Sequence, residues 1–165
     1  MSNENGQLSR RRFMQVLALI GSAAGGLPVA AFSSASMLTK KIPSSGEQIP
    51  VIGMGSSGTF EVGGNQEARA TLTKVLQIFF DLGGTVIDTS PMYGSSEQVL
   101  GDLLVNVQNT QSMFMATKVW TQGREEGIAQ MQQSMDLLRR PVLDLILFHN
   151  LLVWETHWKT LKQWT

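Results

Sequence analysis

Four polar side chains of different chemistry stand at the carboxyl ends of apolar runs: Asp88, Tyr93, Lys118 and His149. Asp88 closes Thr85-Val86-Ile87-Asp88, and Tyr93 follows in Ser90-Pro91-Met92-Tyr93-Gly94. Lys118 closes the run from Met113, and His149 closes the run from Leu143. An acid, a phenol, an ammonium and an imidazole together can hold, move and donate a proton. Parallel strands deliver such groups to one face, and an α/β barrel carries its chemistry on the carboxyl face. Taken singly, each residue has an ordinary role. Asp88 can cap a turn before Pro91, Tyr93 can pack, Lys118 can snorkel to solvent, and His149 can bond a core carbonyl. Their shared placement is what singles them out.

The elements that must position them repeat as strand, loop, helix, with a period of about 30 residues. Two short β-like runs, Met37 to Ile42 and Gln48 to Met54, flank Pro43-Ser44-Ser45-Gly46-Glu47 and predict a hairpin. The run Val51 to Gly55 is a buried-strand candidate. Asn65 is a predicted N-cap with Glu67 in the first turn. Ala68, Leu72, Val75, Leu76, Phe79 and Phe80 then follow at helical spacing until Gly83-Gly84. After strand Thr85–Asp88, Ser95 or Ser96 caps a second helix with a stripe of Val99, Leu100, Leu103, Leu104 and Val107. A third helix from Arg124 to Leu138 buries Ile128, Met131, Met135 and Leu138, and Pro141 is expected to end it. Thr156 is the expected cap of a last helix. Strands without polar alternation, each followed by an amphipathic helix, predict a parallel sheet covered by helices. An eight-fold barrel and an open doubly wound sheet both fit. Gly53-Met54-Gly55-Ser56-Ser57-Gly58 matches the glycine pattern of the open sheet's phosphate turn, but the next helix starts only near Asn65. The required context is missing, so the barrel is favoured.

The bulk composition narrows the chemistry. The chain has 165 residues, enough for one domain and an appendage, and a formal net charge of zero. A nucleic-acid surface is not expected from such a balance. There is no Cys, and there are two His, His149 and His157, without a His-Glu-x-x-His spacing. Thiolate chemistry is excluded and metal dependence is not expected.

Residues 1–35 read as a signal peptide, and residues 36–165 as the folded part. Ser9-Arg10-Arg11-Arg12-Phe13-Met14 precedes an apolar stretch from Val16 to Ala31, broken by Gly21, Gly25, Gly26 and Pro28. A stable membrane span needs about 20 apolar residues and is not expected here. The basic motif resembles a twin-arginine export signal, which implies the twin-arginine machinery as a partner and a periplasmic or otherwise exported location. Cleavage after Ala31 and after Ala35 both remain open.

From about Met37 onward the chain resembles the aldo/keto reductase family. The matching stretches are Pro50-Val51-Ile52-Gly53-Met54-Gly55, Ile87-Asp88-Thr89-Ser90-Pro91-Met92-Tyr93-Gly94-Ser95-Ser96-Glu97, Ala116-Thr117-Lys118-Val119-Trp120 and Leu147-Phe148-His149-Asn150. The resemblance implies a TIM-type (β/α)8 barrel whose bottom is plugged by the hairpin. It implies hydride transfer from NADP(H) to the carbonyl of a small aldehyde or ketone. Tyr93 would be the general acid. A free phenol releases its proton only near pH 10, at about the value of an unperturbed tyrosine. Lys118, as an ammonium, would stabilise the phenolate. Asp88 would keep Lys118 charged and oriented, and His149 would hydrogen-bond the carbonyl oxygen. By the same resemblance Gly55, Ser56 and Asp88 would lie beside the nicotinamide and ribose, and Phe60, Trp120 and Trp154 would wall the substrate pocket.

A closed barrel of this type takes about 250 residues. The chain holds only about four strand–helix units after the hairpin, so it is expected to be the N-terminal half of such a barrel, truncated at its C-terminus. The missing C-terminal half would carry most of the cofactor contacts in the family, and the substrate-selecting loops. First and fourth strands would be left with unpaired edges and exposed apolar faces. The leading expectation is a partial sequence of an exported reductase. A homodimer of half-barrels, and a non-catalytic remnant or half-barrel interaction module, are the alternatives.

Overall fold

The structure, a computed structural model, describes residues 37–151 and 154–163. The expected export signal, with Ala31 and Ala35, lies outside the described residues. The predicted hairpin forms from β1 (Thr39–Lys41) and β2 (Gln48–Pro50), antiparallel with Thr39 opposite Pro50. Gly46 takes a φ of 76° in its turn and donates its N–H to Ile42 O at 2.8 Å. That left-handed value favours glycine. The buried strand expected over Val51 to Gly55 shrinks to β3 (Met54–Gly55), and Ile52 is exposed.

α1 (Gln66–Asp81) begins as expected, with Asn65 Oδ1 accepting from Ala68 N at 3.1 Å. It ends at Gly83, φ 85°, where Gly83 N–H bonds Phe80 O and Gly84 N–H bonds Phe79 O. This crossed pair satisfies the last free carbonyls of the helix. Leu72, Leu76 and Phe80 are buried, whereas Val75 faces outward. β4 (Val86–Asp88) follows, then α2 (Ser96–Leu104), β5 (Phe114–Val119), α3 (Arg124–Leu138), β6 (Leu145–Phe148) and α4 (Trp154–Leu161). Val107 is buried but lies beyond the end of α2.

One helix boundary matches expectation and one differs. α3 ends before Pro141, because Arg139 turns left-handed at φ 54° and Arg140 N–H returns to Met135 O. Thr156 lies inside α4, which starts at Trp154 and carries Glu155 in its first turn. A carboxylate there suits the positive end of the helix dipole.

β3, β4, β5 and β6 pair in parallel and in sequence order. α1 packs on α2, α2 on α3, and α3 on α4. A doubly wound sheet reverses its strand order and sends helices to both faces. A sequential sheet with sequential helix contacts is the arrangement of barrel units. The core lies between sheet and helices, around Leu76, Ile87, Leu100 and Met115. α2 and α3 approach so closely that a Cβ on Gly101 would lie on the Leu137 carbonyl. No described helix is long and apolar enough to cross a membrane.

Asp102 of α2 joins three helical segments. It accepts from Arg69 of α1 at 2.6 Å, from Gln98 at 3.0 Å, and from Arg139 at the end of α3. The Arg69 hydrogen bond, with Gln98 and Arg139 behind it, holds the Asp102 carboxyl below the usual carboxylate range. A carboxyl lowered by folding stabilises the fold above its unfolded pKa, and that contribution is lost as pH falls through the folded value. Asp102→Asn should therefore lower the urea midpoint at neutral pH. The gap to wild type should close as the solution is acidified below the carboxylate range.

Candidate active site

The four polar residues arrive at one end of the sheet. Asp88 ends β4, with its Cα opposite Ala116 of β5. Lys118 stands near the end of β5, opposite Leu147 of β6. Tyr93 lies in the loop after β4, and His149 follows β6 directly. Asn150, at φ 62°, bends the chain just after the imidazole. Asparagine tolerates that left-handed backbone better than most residues.

Lys118 is the centre of the cluster. Its side chain is 14% exposed, and Nζ donates to Asp88 Oδ2 at 2.7 Å and to Thr89 O at 2.8 Å. The same Nζ lies 5.0 Å from the centre of the Tyr93 ring. That is within the range at which a ring face attracts a cation. The His149 ring meets the Tyr93 ring edge to face, with centres 6.0 Å apart. His149 Nδ1 is 3.0 Å from the buried hydroxyl of Ser90. Cation, phenol and imidazole are thus grouped together at one end of the sheet, with a carboxylate paired to the cation.

The loop after β4 is tied down by small hydroxyls. Ser56 N–H donates to Asp88 O, and Ser56 Oγ donates to Thr89 Oγ1 at 2.8 Å. Ser96 Oγ donates to Ser56 O. Ser56 is completely buried and braces the ends of β3 and β4. Gly55 is exposed, pairs with Asp88, and has open space above its Cα. Asp88 keeps 41% of its side chain exposed.

The three expected pocket walls separate. Phe60 is 1% exposed and belongs to the core cluster, because its ring packs inward with Leu72, Leu76 and Ile87. Trp120, directly after β5, is exposed and donates its backbone N–H to Gln130 Oε1 at 2.6 Å. Trp154 is exposed at the start of α4. Among the described residues, no group of three or more His, Asp and Glu is placed to hold a metal ion.

Three contributors stand inside the matching stretch from Ile87 to Glu97 without a role read from it: Thr89, Ser90 and Glu97. Glu97 is buried behind the sheet, where Thr117 Oγ1 donates to it at 2.6 Å and Ser134 Oγ at 3.1 Å. Thr117 is the residue before Lys118, so strand alternation sends Thr117 to the helices and Lys118 to the opposite face. Glu97 stands in the first turn of α2. Burial pushes its carboxyl up, while the two hydroxyls and the Lys118 charge pull it down less strongly.

A profile of the aldo/keto reductase family matches residues 51–164. Over 118 residues the chain is 33% identical to the methylglyoxal reductase of Escherichia coli K12, covering 68% of this chain and 40% of that protein. A thermostable aldo-keto reductase solved with the inhibitor epalrestat superposes with a TM-score of 0.66 at 24% identity. That match covers 77% of this chain and 49% of the other. An aldo/keto reductase of Klebsiella pneumoniae, solved with NADP and acetate, superposes with a TM-score of 0.54 at 27% identity, over 63% of this chain and 36% of its own. The chain spans less than half the length of each of these relatives.

Removing the Glu97 carboxylate should be felt in stability. Glu97→Ala leaves two buried hydroxyls without an acceptor, at about 1–3 kcal/mol for each unsatisfied group. Glu97→Gln should cost far less, since an amide can accept from one hydroxyl and donate to the other. Because burial raises this carboxyl, wild type should gain on the glutamine variant as pH falls, and lose that gain as pH rises through the folded value. Urea midpoints of both variants across pH measure this.

Proposed function

The chain belongs to the aldo/keto reductase family, and on that premise we propose that it serves an exported oxidoreductase reducing the carbonyl of a small aldehyde or ketone with NADP(H). One observation carries the reading: Lys118 Nζ bonds the Asp88 carboxylate and lies 5.0 Å from the centre of the Tyr93 ring, which the His149 ring meets edge to face. The activity of the E. coli relative and the cofactor bound to the K. pneumoniae structure support the substrate class and NADP(H). Gly55 and Asp88 fit the cofactor, because the exposed glycine leaves room for a flat ring beside a partly exposed carboxylate.

When bound, the reduced nicotinamide supplies a hydride to the carbonyl carbon. The chain's residues handle the oxygen, which gains negative charge as the carbon is reduced. Tyr93 donates its phenolic proton to that oxygen. Lys118 stabilises the phenolate left behind, by charge and without itself giving up a proton. Asp88 and Thr89 O hold the ammonium in place, so little reorganisation accompanies the transfer. His149 donates a hydrogen bond to the same oxygen and orients it toward Tyr93. Trp120 after β5 and Trp154 at the start of α4 offer exposed indoles for the apolar part of a substrate. The half of a family barrel not represented by these residues would complete the cofactor site.

Export rests on Ser9-Arg10-Arg11-Arg12-Phe13-Met14 and the apolar stretch behind it. The twin-arginine route carries folded proteins, which suits a chain that takes up its cofactor in the cytosol.

Two outcomes test these readings. In a full-length version with the complete barrel, Tyr93→Phe should lower NADPH-dependent reduction of methylglyoxal and other small aldehydes by about 100-fold or more, while quenching of NADPH fluorescence on binding persists. Undiminished turnover would remove Tyr93 from the reaction. Replacing Arg10 and Arg11 by Lys should leave the protein in the cytoplasm on fractionation, and unchanged export would overturn the assigned route.

A further inference from the structure

Ser90 is the best-connected residue of the site that the reaction scheme leaves without a part. It is 1% exposed, at the start of the turn that carries Tyr93. Its carbonyl accepts from Tyr93 N–H at 3.0 Å, and its Oγ accepts from Met92 N–H at 3.2 Å. The same Oγ is 3.0 Å from His149 Nδ1, a residue 59 positions away in the chain.

A serine hydroxyl has one proton to give and two lone pairs. Met92 N–H can only donate, so it occupies one lone pair. Among the described residues, the hydroxyl proton then has one acceptor within reach, His149 Nδ1. Were Nδ1 to carry the ring proton, Oγ would accept it on its second lone pair, and the hydroxyl proton would be buried without an acceptor among the described residues. That arrangement is disfavoured by about ten-fold or more, the usual weight of a buried unsatisfied donor. Nδ1 must therefore accept, and the proton of the neutral ring must sit on Nε2.

The geometry assigns Ser90 as the positioning residue that sets the tautomer of His149, so that Nε2–H is the group offered to a substrate carbonyl. The assignment of a substrate to Nε2 rests on the function proposed above. The tautomer itself does not. The opposite tautomer would present a lone pair to the carbonyl oxygen and repel it. Through its carbonyl and Oγ, Ser90 also ties the turn of the general acid to the imidazole, so the two groups that meet the carbonyl oxygen share one anchor.

The test is nitrogen NMR of the full chain labelled at histidine, at alkaline pH where imidazoles are neutral. Only His149 and His157 contribute, and a His149→Asn variant assigns the signals. Wild type should show His149 protonated at Nε2. Protonation at Nδ1 would overturn the proposal before any serine variant is made. Ser90→Ala should yield a mixture of tautomers, and Ser90→Thr, which keeps the hydroxyl, should restore the wild-type signal. An unchanged tautomer in folded Ser90→Ala would also overturn it. In turnover, Ser90→Ala should lower kcat/KM for an aldehyde by about ten-fold, the weight of one lost hydrogen bond, with NADPH affinity unchanged. A tautomer shift without that loss would uphold the part given to Ser90 and count instead against His149 as the carbonyl's partner.

Discussion

A lysine side chain that keeps only 14% of its surface in water must find acceptors within the protein, and Lys118 finds two. An unpaired ammonium at such a position would bear several kcal/mol of desolvation, roughly the scale for a buried ion without a partner. The Asp88 carboxylate and the Thr89 carbonyl remove that cost, and both come from the adjacent strand and the loop that follows it. For them to reach Nζ, β4 and β5 must be parallel and in one register, with Asp88 beside Ala116 and Thr89 N–H bonded to Ala116 O. The ion pair and the strand register therefore depend on each other. Tyr93 lies over the ammonium because its loop leaves β4 at that same point.

The opposite face of β5 solves a matching problem with a carboxylate. Glu97 is buried between sheet and helices, and the hydroxyls of Thr117 and Ser134 are its donors. Its carboxyl lies above the usual range because burial outweighs those donors. Consecutive residues of one strand thus anchor both faces, Thr117 to the helical layer and Lys118 to the site. Serine and threonine hydroxyls do much of this work: Ser56, Thr89, Ser90, Ser96, Thr117 and Ser134 each link elements far apart in sequence. Small hydroxyls suit the task, since they fit a crowded interior and can donate and accept at once.

The repeat of strand and helix was readable because apolar periodicity is local. Arg124–Leu138 was recovered end to end, and Asn65 and Gly83 acted as the caps their types suggested. The errors came where tertiary contact overrode local preference. Val51 and Ile52 are apolar yet exposed, since only Met54 and Gly55 reach a pairing strand. Phe60 and Ser56 belong to the right neighbourhood but turn inward, and no pattern of residue types reveals which way a loop side chain turns. Arg139 ends a helix in a conformation usually left to glycine, and its guanidinium bonds Asp102 from that position.

The sequence by itself determined which residues could do chemistry and that they would reach one face. Residues closing successive parallel strands are carried to the same end, whatever the details of packing. It also determined the family, through ordered motifs at barrel-unit spacing. Only the tertiary structure decided who partners whom. It joined Lys118 to Asp88 and Thr89, set Ser90 against His149, and turned Glu97 to the back of the sheet. Those choices depend on distances of about 3 Å between residues tens of positions apart, the range at which a hydrogen bond acts. Such distances follow from register, burial and loop path together, and no local pattern of residues encodes them.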